Sequence, residues 1–203
     1  MKKIFTIFAF MLVAFTIGCK DSNSKSNTNS DGQTTVIQAP TINENIQNTF
    51  FDTPFGASKE EVIKNFGKHG LIPKRKISND NIMHFKHVNS DYFSFGNMSW
   101  SNMAVRLNNN KFYEISFYSA VKEKQSAISD YNRILSAISE KYKLTKEEPE
   151  DTTIYALSVG YGKNNSIIIV SCHKYESIDH GLWYTASLDY INDSISKEPS
   201  DEL

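Results

Sequence analysis

Between residues 121 and 143 apolar side chains return every three or four positions: Ile128, Tyr131, Leu135, Ile138 and Tyr142, with Ala127 and Ile134 widening the stripe. That spacing puts them on one face of a helix. The stripe spans barely three heptads, so it predicts a helix lying on a core rather than a coiled-coil partner. A second, shorter helix is announced by Ser58 and Glu61, spaced so that each side chain satisfies a backbone donor left free in the first helical turn. Val62, Ile63 and Phe66 follow on one side, and Gly67 with Gly70 end the segment. A helix this short is marginal alone and needs a sheet to lean on.

The remaining order is read as strands. Residues 82–88, 92–95, 100–107 and 112–118 are β-branched and aromatic runs, and Asn108-Asn109-Asn110 supplies a hairpin turn because Asn tolerates positive φ. In the last of these runs Tyr113, Ile115 and Phe117 share one face while Glu114 and Ser116 share the other, as in a half-buried antiparallel sheet. After the long helix come runs at 154–161, 166–173 and 182–190, joined by short connections that favour hairpins. Ile167 and Ile169 point opposite to Ile168 and Val170, which predicts a central strand covered on both faces. The expected fold is therefore α+β, with two helices packed on an antiparallel β-sheet in the order helix, three or four strands, helix, three strands.

The ends differ from this middle. Lys2 and Lys3 precede an uncharged apolar run to Ile17, closed by Thr16-Ile17-Gly18-Cys19. The run is about fourteen residues, too short to span a bilayer, which takes roughly 20, and its charged start has the pattern of a processed segment. It resembles a bacterial lipoprotein signal peptide. The resemblance implies cleavage before Cys19, acylation of that cysteine, and a membrane anchor through it. Lys20-Asp21 is similar to the surface-export signal of Bacteroidetes lipoproteins, so the expected location is the bacterial outer membrane, on its periplasmic or cell-surface face. Residues 19–48 hold mostly Ser, Asn, Thr, Gln, Gly and Asp, too little apolar surface to offset the entropy of ordering, and read as a tether. The layout is then a signal peptide at 1–18, lipidated Cys19 with its tether to 48, one domain of about 145 residues at 49–193, and an acidic tail at 194–203. A chain beginning near Ile46 is expected to fold by itself.

Composition narrows the function classes. Loss of Lys2 and Lys3 takes the formal charge from −1 to −3, which gives no electrostatic case for nucleic acid. With Cys19 lipidated, Cys172 has no disulfide partner and reads as a buried thiol. The acidic stretch Lys146 to Asp151 reads as solvated loop. Ser119 and Lys122 have the Ser-x-x-Lys spacing of some acylating enzymes, but Ser22/Lys25, Ser171/Lys174 and Ser194/Lys197 repeat it in a Ser- and Lys-rich chain. His84 and His87 fall on opposite faces of one strand, and no clustered Cys or carboxylate completes a metal site. Neither a catalytic group nor a cofactor is predicted.

The stretch Gly56-Ala57-Ser58-Lys59-Glu60-Glu61-Val62 followed by Phe66-Gly67 resembles the helix opening of small envelope lipoproteins of the SmpA/OmlA type and of β-lactamase-inhibitor-like repeats. The resemblance implies a non-catalytic binding or assembly module. The expected partner is an envelope protein or glycan. Trp183, Thr185 and Ser187 form its candidate surface: Leu182, Tyr184, Ala186, Leu188 and Tyr190 alternate with them toward the helices, leaving Trp183 in an otherwise polar row, with Ile168 and Val170 beside it. In the competing arrangement the first half of the sheet folds over that face and buries Trp183. The competing function is an envelope hydrolase, which requires a cleft gathering at least two of His84, His87, His173, Glu114 and Asp189.

Overall fold

The computed structural model describes residues 42–177 and 181–197. Met1 to Gly18, Cys19, the tether up to residue 41, His180 and residues 198–203 lie outside them. In chain order the elements are β1 (Ile42–Asn43), β2 (Thr49–Phe50), β3 (Thr53–Pro54), α1 (Lys59–Lys68), β4 (Leu71–Pro73), β5 (Ile82–His87), β6 (Phe93–Phe95), β7 (Met98–Trp100), β8 (Asn102–Asn108), β9 (Lys111–Val121), α2 (Lys124–Ser139), β10 (Thr145–Glu147), β11 (Ile154–Gly162), β12 (Ser166–Ser177), β13 (Gly181–Asn192) and α3 (Asp193–Ser196).

Nine of the strands form one sheet in the order β1-β11-β12-β13-β9-β8-β5-β4, with β10 on the outer side of β11 next to β1. The pairings are antiparallel except β1 on β11, which makes the sheet mixed. This corrects the expectation of two helices on an antiparallel sheet in α-β-α-β order: the described residues are mostly β-sheet, strands precede α1 among them, and they hold three helices. The strand order could not be read locally, because the seam at the middle of the sheet joins Ile115 to Tyr190 and Phe117 to Leu188, far apart in the chain. Around that seam the halves correspond, β4-β5-β8-β9 following α1 and β10-β11-β12-β13 following α2.

Local signals explain the helices. Ser58 Oγ accepts from the Glu61 N–H at 3.3 Å and Glu61 Oε2 accepts from the Ser58 N–H at 2.8 Å, closing the capping box. Val62 and Phe66 are buried, but Ile63 is 38% exposed and does not join them. In α2 the predicted stripe is buried at Ala127, Tyr131, Ile134 and Ile138. The helix starts at Lys124 rather than near 121, because Val121 pairs with Tyr184 as the end of β9. Asn109 and Asn110 both take positive φ between β8 and β9, as the turn requires.

The apolar core lies on one side of the sheet only. Met83, Phe85, Met103, Val105, Ile115, Phe117, Ile168, Val170, Leu188 and Tyr190 pack there with α1, α2 and the hairpins β2–β3 and β6–β7. Phe95 stacks on Phe117 with ring centroids 4.0 Å apart, and Phe50 touches Phe112, Phe117 and Tyr190. Both boundaries of the domain move relative to the sequence reading. Ile42–Asn43 already belongs to the sheet and Ile46 is buried. At the other end α3 occupies the first residues of the predicted tail, with the Asn108 Nδ2 donating to the Ile195 carbonyl at 2.9 Å.

Candidate functional site

Strand alternation gives the sheet a second face, opposite the one whose buried residues pack with α1 and α2. Cross-strand rows define its surface. One runs Ile82, Arg106, Glu114, Ile191, Ile167, Tyr161; the next runs His84, Ala104, Ser116, Asp189, Ile169, Val159; a third carries Asn102, Tyr118, Ser187, Ser171, Leu157. Further along β12 and β13 come the pairs His173–Thr185 and Tyr175–Trp183. The first half of the sheet therefore continues beside the second instead of folding over it, and Trp183 is not core.

The middle of this face is a connected polar cluster. The Arg106 Nε donates to Glu114 Oε1 at 2.9 Å, and the Ser116 hydroxyl donates to the same oxygen at 3.1 Å. The Ser187 hydroxyl donates to Asp189 Oδ2 at 2.7 Å and lies 2.9 Å from the Ser171 hydroxyl. Arg106 is thus paired with Glu114, and its charge also acts on the neighbouring Asp189. Burial pushes the Glu114 carboxyl above its usual range against the pull of Arg106, and the neighbouring Asp189 adds to the rise. Burial likewise raises Asp189, opposed by hydrogen bonds from Ser116 and Ser187 and by Arg106. At the flank, His84 Nδ1 sits 3.2 Å from the Tyr118 hydroxyl; burial, then Lys74 and Arg106, push this imidazole down, and burial pushes the phenol up.

To one side of the cluster Ile167, Ile169 and Ile191 form a half-buried aliphatic strip. At the far end of β13 the Lys122 ammonium lies 3.8 Å from the centre of the half-buried Trp183 ring, a cation–π contact, with exposed Tyr175 across the strand pair. The three residues proposed from sequence are thus on one face but in different states. Trp183 is partly accessible, whereas Thr185 and Ser187 are buried and the Ser187 hydroxyl is engaged inside the cluster. Ile168 and Val170, expected beside Trp183, are fully buried on the opposite face; the strand they lie in is covered on one side only.

Of the five residues, at least two of which a hydrolase would need in one cleft, Glu114 and Asp189 are neighbours on adjacent strands but line neither of the hollows that hold His87. His84 is three strands from Asp189, roughly 14 Å at the usual strand spacing, and His87 is on the core side of β5, opposite His84. Two hollows of about 330 and 450 Å³ hold His87 alone from that set. Among the described residues no three His, Cys, Asp or Glu side chains gather to hold a metal. Burial raises the pKa of the Cys172 thiol, which sits in the core. Sequence reasoning passed over Arg106, because the Asn109-Asn110 turn by itself would pair it with Tyr113, and only a register shift between Arg106 and Leu107 puts it across from Glu114.

No protein-family model, no curated protein and no solved structure matches this chain.

Proposed function

We propose that this chain is a lipid-anchored module of a bacterial cell envelope that binds a protein partner through the open face of its sheet, without chemistry of its own. The observation that carries the reading is the bare face itself: an aliphatic strip of Ile167, Ile169 and Ile191 next to a charged, hydrogen-bonded cluster, on a nine-stranded sheet whose core is all on the other side. An apolar strip with a polar surround is the anatomy of a protein interface. A sugar-stacking site is less well matched, because the Lys122 ammonium already covers one face of the Trp183 ring. Attachment is assigned to Cys19 and the outer membrane by the lipoprotein-like start, and the likeness of the α1 opening to small envelope lipoproteins points to the same class of module. Among the described residues no helix is long and apolar enough to cross a membrane.

The test uses the lipidated protein in its own envelope. Incorporation of a fatty-acid analogue should vanish in Cys19→Ser. Crosslinking should capture the same proteins in wild type and in a control variant at an exposed position of the short strand β10, Lys146→Ala, and lose them in Ile169→Asp and Trp183→Ala. A half-buried Trp that contacts the partner should be worth about 2 kcal/mol of binding, roughly 30-fold in affinity. Its loss should cost the fold well under the 3–5 kcal/mol, approximately, of a buried Trp. Labelling that persists in Cys19→Ser overturns the anchor. Unchanged capture by folded variants, or capture abolished by glycan digestion, overturns the protein-binding face.

A further inference from the structure

The hollow on the core side of the sheet, away from the open face, has its own chemistry. Phe51, Leu71, Tyr92 and Phe93 wall a space of about 330 Å³, and His69, His87 and Ser94 place polar atoms in it. That volume is at the small end of the range for ligand pockets, roughly 300–1,000 Å³, and its lining combines aromatic rings with imidazole and hydroxyl side chains.

Several features hold these side chains in place. Phe51 and Asp52 both take positive φ (48° and 58°) in the turn of the β2–β3 hairpin, where Gly or Asn is the usual choice. For a bulky residue such as Phe51 this is a strained backbone. The turn sets the Phe51 ring 5.6 Å from the His69 ring and brings Asp52 Oδ2 to 2.8 Å from His69 Nε2. His87 is fixed twice. A Cβ on Gly70, which itself has φ +73°, would stand 2.8 Å from His87 Nε2, so only glycine lets the imidazole lie against this turn. The Asn89 N–H donates to His87 Nδ1 at 3.2 Å. A backbone N–H can only donate, so in the neutral ring the proton is on Nε2. No acceptor for that N–H is found among the described residues.

The neighbouring hollow, also bounded by His87, is lined by Lys74 and Lys86 against one carboxylate, Asp91. The two ammonium groups beside His87 favour an anion on that side, while the Asp52 carboxylate at the other side of the pocket is held by His69.

We propose that this pocket binds a small aromatic carboxylate, its ring among Phe51, Tyr92 and Phe93 and its carboxylate accepting from the His87 Nε2–H and the Ser94 hydroxyl. The reading is independent of the open face, which lies on the other side of the sheet and serves as an internal control.

Benzoate is the probe, titrated into the ¹⁵N-labelled protein and followed by amide shifts, with cyclohexanecarboxylate and benzyl alcohol as the non-aromatic and uncharged counterparts. Benzoate should shift the amides of Leu71, His87, Phe93 and Ser94 saturably, leave Ser187 and Ile169 unmoved, and bind more tightly than either counterpart. His87→Leu, which removes the donor at Nε2, and Tyr92→Ala, which removes a ring that is 61% exposed and so spares the fold, should each weaken binding about tenfold. Melting curves of both variants accompany the titration; if His87→Leu is unfolded, Tyr92→Ala decides. Absence of shifts at the pocket, shifts centred on the open face, equal binding of all three probes, or unchanged affinity in a folded variant each overturns the assignment.

Discussion

Arg106→Met should melt about 4–8 °C below wild type at pH 7.5 and close to it near pH 4. Methionine keeps the apolar stem of the arginine but removes the Nε donor that lies 2.9 Å from Glu114 Oε1, leaving Glu114 and Asp189 without a cation in a partly buried cluster. Removing one partner of a fully buried ion pair costs about 3–5 kcal/mol. Here the arginine side chain is 38% exposed and Glu114 16%, so solvent screening brings the expected loss to about 2 kcal/mol.

The pH dependence follows from the direction of the shifts. Burial raises both carboxyl groups in the folded protein, so the native state binds their protons more tightly than the unfolded chain. Their ionisation therefore opposes folding in full above the raised folded values. The penalty disappears as pH falls through those values toward the ordinary carboxylate range. Arg106 opposes the rise in both groups; its removal moves the folded values higher and enlarges the penalty at neutral pH. Below the ordinary range both groups are protonated in either state, and only the lost hydrogen bond separates variant from wild type. Thermal melts from pH 4 to 8 read this directly. A gap that is the same at every pH would mean that Arg106 acts by packing and that the carboxyl pair carries no shared charge.

This cluster also marks where sequence reading stops. Signals confined to a few residues survive into the structure: the Ser58–Glu61 box, the Asn109-Asn110 turn, and the stripe of α2 each depend only on neighbours within one or two turns. The strand order depends instead on pairings such as Ile115 with Tyr190, which leave no local trace. Glu114 and Ser116 were recognisably on one face from the alternation in β9, but their junction with Asp189 and Ser187 exists only because β9 lies beside β13. The run from Ile167 to Val170 was misread for a related reason. Continuous apolar character is the mark of a strand covered on both sides, yet here Ile167 and Ile169 lie on the open face. Their hydrophobicity is therefore not accounted for by the core, and this is what makes them the strip on which the binding proposal rests. The hairpin at Phe51 and Asp52 escaped notice because its residues contradict the turn they form, a conflict offset by packing Phe51 against Phe66, Phe95 and Phe117.

Asn43→Ala should destabilise the protein by about 2–4 kcal/mol, although asparagine in a Ser- and Asn-rich stretch reads as linker. The residue is 8% exposed and its side chain engages both backbone groups of Lys143: Nδ2 donates to the Lys143 carbonyl at 3.0 Å, and Oδ1 accepts from the Lys143 N–H at 2.7 Å. A second donation reaches the Tyr161 carbonyl at 3.3 Å. Lys143 lies in the connection between α2 and β10, and a Cβ built on Gly160 would approach its carbonyl to 2.9 Å, so this connection is pressed onto β11 where only glycine leaves room. Alanine at 43 strips the Lys143 N–H and carbonyl of these partners while the connection remains packed against the sheet, and the cost is that of leaving partly buried polar groups unpaired rather than of one hydrogen bond. Asn43→Asp should fare little better, because a carboxylate can accept from the Lys143 N–H but faces the Lys143 and Tyr161 carbonyls with no hydrogen to offer. A chain beginning at Ile46 lacks the same clamp and should lose roughly 5–10 °C in melting temperature, against the sequence-based expectation that such a chain melts like the whole. Equal melting temperatures for the Ile46 chain, Asn43→Ala and wild type would show that the clamp is replaceable by water and that the fold begins after it.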